Sequence, residues 1–212
     1  ATMFFYFNGC SHTEGVRLEH EEEERFSTLV SNHYNADHRI DAKEGSSNDI
    51  IVRQTFEFLE HNKCDYAIIM MTHCERMELL NPKTNTPYNF LPSEPTCSQF
   101  YENYYTDDVG SKNFYKNRFL LEQEFNRRGI PLILLQFDNN HASYDNIWKR
   151  RCDGGELPTV TRRLFERHES ILGMYKKHEY FYHEHIKRID GHFNVRGHRK
   201  VADFIINQID TH

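Results

Sequence analysis

Short apolar runs without strict alternation mark three places in the chain: residues 3–7 (Met-Phe-Phe-Tyr-Phe), 65–71 (Asp-Tyr-Ala-Ile-Ile-Met-Met) and 130–137 (Ile-Pro-Leu-Ile-Leu-Leu-Gln-Phe). Runs of this kind suit strands buried on both faces of a parallel sheet. A shorter stretch, 38–42, predicts a second strand. Between these runs the apolar spacing changes to a helical one. Residues 22–33 place Phe26, Leu29, Val30 and His33 on one face, and the acidic run 19–24 suits the positive end of a helix dipole. Gly45-Ser46-Ser47-Asn48-Asp49 is a turn and N-cap signal, with Asn48 or Asp49 as the expected cap. A helix follows to about His61, carrying Ile50, Ile51, Phe56 and Leu59. Residues 114–128 predict a helix closed by Gly129, and further helices are expected from Pro158 or Thr159 to about 177 and over 196–209.

Strand and helix therefore alternate, which predicts a parallel sheet of four to five strands with helices on both faces, an α/β fold in three layers, α/β/α. The 212 residues suit one domain, 1–212. Two segments fit neither period. Residues 81–111 hold prolines at 82, 87, 92 and 95, and residues 138–157 hold the only tryptophan, Trp148. Both are read as irregular insertions, since a plain connection of that length is uncommon. The first is expected at the carboxyl edge of the sheet. Its rings Tyr88, Phe90, Phe100, Tyr101, Tyr104 and Tyr105 are too many for a solvated loop and predict a satellite cluster.

Charge and composition narrow the function classes. The net charge of −6 disfavours a nucleic-acid partner, and the basic clusters at 149–151 and 162–167 are interspersed with acids, as on a solvated helix face. No run approaches the ~20 apolar residues of a membrane span. No basic region followed by an apolar one opens the sequence, so a cytoplasmic protein without a signal peptide is the expectation. The five cysteines are scattered, and Cys10 and Cys64 read as buried thiols of a reducing compartment.

The chemistry is carried by the two ends. Gly9-Cys10-Ser11-His12 follows the first strand, and Asp190-Gly191-His192-Phe193-Asn194 precedes Gly197-His198 and the last helix. A parallel sheet can bring both to its carboxyl edge, where open α/β sheets place their ligands. Serine, histidine and aspartate then make a nucleophile, a base and the acid that orients the base. The plain alternatives are a turn-capping serine, a surface histidine and a turn-forming aspartate. His198 is read as a packing or hydrogen-bonding residue, although spacing does not exclude it as the base.

Three motifs in this order, Gly9-Cys10-Ser11, Gly45-Ser46-Ser47-Asn48 and Asp190 through His198, resemble the SGNH/GDSL hydrolases, in particular short versions from phage and bacterial genomes. The resemblance implies a flavodoxin-like sheet, with Ser11, His192 and Asp190 as the triad and the Gly45 N–H in the oxyanion hole. It also implies that no cofactor is needed. The family's Gly-x-Asn-Asp after the third strand is missing. Thr72-His73-Cys74-Glu75-Arg76-Met77-Glu78 stands there, similar to the Thr-x-x-x-Arg-x-Glu of the phage-type branch. Thr72, His73 or Arg76 is the expected substitute donor, and Arg76 with Glu78 could equally be a structural ion pair. Asn48 either caps the helix or touches substrate.

The histidines His178, His183 and His185, together with His73 and Cys74, lack the tight spacing of zinc sites, so no metal is expected and 183–185 reads as a solvated polar segment. The function implied is a serine esterase or acyl hydrolase acting on a small ester or an acylated carbohydrate, which it would deacetylate. The rival is a non-catalytic binding or virion-associated module that keeps the fold, favoured by the missing asparagine.

Overall fold

The computed structural model describes residues 2–136 and 177–211 of the chain. The second insertion (138–157), Trp148 and the helix expected over 158–177 lie outside the described residues, apart from Lys177.

Four strands form the main sheet: β1 (Phe4–Asn8), β2 (Asp37–Ile40), β3 (Tyr66–Met71) and, further along the chain, a strand at Leu132–Gln136. All pair in parallel, in the order β2, β1, β3, Leu132–Gln136. The apolar runs lack alternation because alternate residues enter two different cores. Phe5, Phe7, Ile68, Met70, Ile133 and Leu135 pack on one face, and Tyr6, Ala67, Ile69, Met71, Leu132 and Leu134 on the other. Burying each large apolar side chain contributes roughly 1.5–3 kcal/mol, so both faces of the sheet hold the helices firmly.

The first face is covered by α3 (Phe26–His33) and by the closing helix Val195–Asp210, through Phe26, Val30, Val201, Ala202, Ile205 and Ile209. The second is covered by α4 (Asn48–His61) and α6 (Asp107–Arg128), through Ile51, Phe58, Leu59, Phe114, Leu121 and Phe125. The three layers follow directly.

Four local expectations are corrected. The helix over 22–33 is two helices, α2 (Glu21–Glu24) and α3, parted at Arg25, whose backbone is extended. The Phe26 N–H is diverted to the His198 ring (3.0 Å), so a contact across 172 residues makes the break. The cap of α4 is Ser47, which accepts from the Ile50 N–H, rather than Asn48 or Asp49. α6 starts at Asp107 instead of 114, capped by Thr106 with Asp107 and Asp108 in its first turn.

The first insertion is also not irregular. It holds an antiparallel hairpin of β4 (Met77–Leu80) and β5 (Pro87–Phe90), a 3-10 turn at Pro95–Cys97 and α5 (Ser98–Asn103). Its rings pack in sequence, edge-on or tilted: Tyr88 against Phe90 (4.9 Å between centroids), Phe90 against Phe100 (4.5 Å), Phe100 against Tyr101 (5.1 Å) and Tyr101 against Tyr105 (5.3 Å). Asn89 donates to the Gly45 carbonyl (2.7 Å) and Tyr101 OH to the Glu75 carbonyl (2.7 Å). Those loops follow β2 and β3, so the insertion lies at the carboxyl edge of the sheet. The strand Leu132–Gln136 is then β6. After the undescribed residues come α7 (Lys177–Phe181), the two-residue pair β7 (Tyr182–His183) and β8 (Arg188–Ile189), and α8, the closing helix.

Candidate active site

From β1 the chain runs leftward to β2 and then crosses over β1 to β3, so β1 and β3 flank a crevice at the carboxyl edge. Open α/β sheets place ligands in such crevices. Gly9 leaves β1 there: a Cβ on it would lie 2.2 Å from Thr13 Oγ1 and 3.2 Å from the Met70 carbonyl. Only glycine leaves room for the chain to pass this close to Thr13 and to β3. Ser11 opens the one-turn helix α1 (Ser11–Glu14) and is buried at 4% exposure.

The other half of the site is the loop before α8. Asn194 caps α8, accepting from the Gly197 N–H (2.9 Å), and its amide donates to the Glu179 and Tyr182 carbonyls. Gly197 leaves no room for a side chain, since a Cβ would sit 2.9 Å from the Tyr180 carbonyl. The Asn and Gly of the closing motif thus dock the loop onto α7. On that loop Asp190 Oδ1 accepts from the His192 N–H (3.1 Å) and from His192 Nδ1, in a short hydrogen bond. His192 Nε2 lies 3.0 Å from Ser11 Oγ.

Electrostatics fix the tautomer. Burial would raise the Asp190 carboxyl, but the hydrogen bonds and charge of His192, with the charge of Arg17, hold it below its ordinary value. An ionised carboxylate only accepts, so Nδ1 carries the hydrogen and Nε2 turns a lone pair toward the Ser11 hydroxyl. The second carboxylate oxygen is met by Arg17 (3.4 Å) and Arg188 (3.7 Å). Arg17 has a left-handed backbone (φ 76°), a conformation that a non-glycine residue rarely adopts.

His198 is placed differently. It is fully buried, and its Nδ1 accepts the Phe26 N–H. Burial pushes it down to about 3, so it is a neutral structural histidine. His183 corrects an expectation. It is not part of a solvated segment but 2% exposed, and its Nε2 donates to the His192 carbonyl (2.9 Å). His185 is exposed, and the side chain of His178 is not among those described. Burial pushes the Cys74 thiol up to about 11, a protonated group and a poor metal ligand. Among the described residues, no three His, Cys, Asp or Glu side chains converge on a metal position.

The remaining candidates lie on the two neighbouring loops. Gly45 is left-handed (φ 77°), as its turn requires. Neither its N–H nor that of Ser11 has an acceptor among the described residues. Asn48 is buried and reads both sides of one peptide: its Nδ2 donates to the Thr72 carbonyl (3.0 Å) and its Oδ1 accepts from the Thr72 N–H (2.8 Å). It clamps the β2 loop to the β3 loop with both ends of its amide. Thr72 is buried and accepts through Oγ1 from Arg76 Nη1 (3.2 Å). Glu78 does not pair with Arg76. It takes Arg53 in a two-pronged bond (2.9 Å each). His73 is half-buried, 3.9 Å from Glu75.

His12 was missed by sequence reasoning. Its ring is 5.0 Å from that of His192, and burial followed by the charges of His192, His73, His198 and Arg76 holds it neutral, well below its ordinary value. Adjacency to Ser11 was its only sequence signal. Arg17 had none, and His183 stood out only as one of a group of histidines. A cleft of about 310 Å³ shares His183 and Asn194 with this region but does not include Ser11, Gly45 or Thr72.

No protein-family model matches the sequence, and no curated protein matches it. Solved structures do. A carbohydrate esterase, described as having divergent catalytic and non-catalytic binding functions in its active site, superposes with a TM-score of 0.59 at 14% identity, over 99% of this chain and 65% of that one. A lipolytic protein of the G-D-S-L family from Desulfitobacterium hafniense gives 0.55 at 7% identity, over 98% and 99%. The chain has the SGNH/GDSL hydrolase fold. A two-domain esterase active on acetylated mannans gives 0.50 at 18% identity, over 99% of this chain and 49% of that one. The chain thus spans about two thirds of the first of these proteins and half of the last. In this fold the Ser11, Gly45 and Thr72 loops follow β1, β2 and β3, and the Asp190–His192 loop precedes the last helix.

Proposed function

We propose that this protein is a serine esterase that removes a small acyl group, acetyl being the simplest, from a carbohydrate. The observation that carries the reading is the hydrogen-bonded line from Ser11 Oγ through His192 to Asp190. Ser11 Oγ attacks the ester carbonyl while His192 Nε2 takes its proton, and Asp190 stabilises the imidazolium. The N–H groups of Ser11 and Gly45 receive the oxyanion. The tetrahedral intermediate collapses, the alcohol oxygen leaves with the proton from His192, and water then releases the acyl group by the same steps. The Arg76 guanidinium is anchored to Thr72 on the loop after β3. The carbohydrate part is supported by the esterases that share the fold, one named for carbohydrate esters and one for acetylated mannans.

One observation favours a second reading. The asparagine of the family pattern is absent after β3 and the Thr72 N–H is taken by Asn48, so one oxyanion donor is missing there. Loss of one such donor costs about 10²–10³ in rate, and a module that binds ester without turning it over would have this feature. Hydrolysis of p-nitrophenyl acetate by the protein and by Ser11→Ala separates the two. The esterase reading expects kcat to fall on the order of 10³-fold or more. Equal rates for both proteins would leave the binding module.

A further inference from the structure

The cations around Ser11 are not equivalent. Arg17 and Arg188 both meet Asp190, and Arg53 is held by Glu78 and Glu57. Arg76 has no carboxylate among the described residues. Only its Nη1 is used, donating to the Ser46 carbonyl (3.4 Å) and to Thr72 Oγ1 (3.2 Å). Its Nε and Nη2 have no acceptor there and are not shut off from solvent. The chain has 32 acidic residues against 26 basic ones, so a partner would be easy to supply. The open edge of the guanidinium, Nε and Nη2, is therefore free to take an acceptor from a ligand.

Its place is specific. Ser46 follows Gly45 in the loop after β2, and Thr72 opens the loop after β3. Arg76 bridges the two loops that border Ser11, and its charge reaches His12, which packs on His192. The loops are pinned from behind by Asn48 on Thr72 and from outside by Asn89 on Gly45, so the guanidinium is presented on a fixed frame. Its planar fork matches a carboxylate in two parallel hydrogen bonds. If the acyl group is as small as acetyl, it has no room for a charge, and the carboxylate must belong to the alcohol. A protein of net charge −6 would otherwise repel such a ligand.

From this unpaired fork on the loops that follow β2 and β3 we infer that Arg76 binds a carboxylate on the alcohol side of the ester, so that the substrate class is an O-acylated acidic saccharide of the uronic acid type. The inference rests on the esterase reading for its substrate but not for its binding step.

The test compares O-acetylated methyl glucuronide with O-acetylated methyl glucoside, which differ by carboxylate against hydroxymethyl. The protein should favour the glucuronide in kcat/KM by roughly 10-fold or more, as a charge-assisted fork allows. Arg76→Gln should bring the ratio close to one, and Arg76→Lys, a point charge without the fork, should fall between. Unesterified methyl glucuronide, titrated calorimetrically into Ser11→Ala, should bind where methyl glucoside does not, and the added Arg76→Gln change should abolish that binding. Equal rates on both acetates in the unmodified protein would overturn the inference and leave the esterase reading intact. An equal loss on both in Arg76→Gln would overturn it too, because the residue would then serve the ester itself or the loops. If no acetate, p-nitrophenyl acetate included, is hydrolysed, the esterase reading fails and calorimetry decides alone: Arg76-dependent glucuronide binding supports the inference, and its absence refutes it.

Discussion

His198 should make this protein sensitive to mild acid, and the size of the effect follows from its surroundings. Its Nδ1 accepts the Phe26 N–H at 3.0 Å in a fully buried position. A proton on Nδ1 would set N–H against N–H and charge a ring stacked on Phe26. Burial therefore lowers the folded-state value to about 3, while the unfolded chain titrates at ~6.5. Below ~6.5 the unfolded state binds the extra proton, so the contribution is fully present above that value and is lost as pH falls from there toward about 3. Between pH 7 and 5 the linkage relation gives a loss of about 2 kcal/mol from this residue alone. The figure requires only that the folded value lie well below 5. His198→Gln keeps an acceptor for Phe26 and removes the titration. It should be less stable at pH 7 through imperfect fit, yet lose about 2 kcal/mol less than the parent on going to pH 5. Urea unfolding of both proteins at the two pH values measures this. His12, also held neutral by burial, contributes to both and cancels. Equal acid losses in parent and variant would refute the argument, since His198 would then titrate alike in both states.

Two further outcomes concern the frame of the site. Asn48→Ala strands the buried N–H and C=O of Thr72, each costing about 1–3 kcal/mol, so thermal melting should fall by roughly 5–15 °C for a domain of this size; a drop under about 2 °C would show that the clamp is dispensable. Gly197→Ala forces a Cβ to within 2.9 Å of the Tyr180 carbonyl, which should cost about 1–3 kcal/mol and displace the His192 loop. Ester hydrolysis by the folded fraction should therefore drop as well, and unchanged turnover in a destabilised variant would separate the glycine from the site.

Local pattern determined much of this protein. The apolar runs at β1, β3 and β6 gave strands buried on both sides, because a two-faced environment removes alternation. The order of strand and helix then implied the layered sheet. Ser11, Asp190 and His192 stood out because short motifs at strand and helix ends are local features, and Gly197 and Asn194 belonged to the same motif through docking and capping. What the chain could not show locally came from contacts between distant residues. Helix α2 stops because the Phe26 N–H goes to His198, 172 positions away, although the acidic run reads on smoothly into α3. Asn48 reads as a cap until β3 brings the Thr72 peptide against it. The hairpin Met77–Leu80 and Pro87–Phe90 was hidden by prolines that suit an edge, and the Thr106-Asp107-Asp108 start of α6 lay inside a segment that looked irregular. Glu78, two positions from Arg76, pairs with Arg53 from α4 instead. Which carboxylate a guanidinium meets, and which histidine is sealed from protons, depend on packing in three dimensions. Sequence supplied the chemical groups and their elements; only the tertiary structure decided which of them are spent on one another and which remain for a ligand.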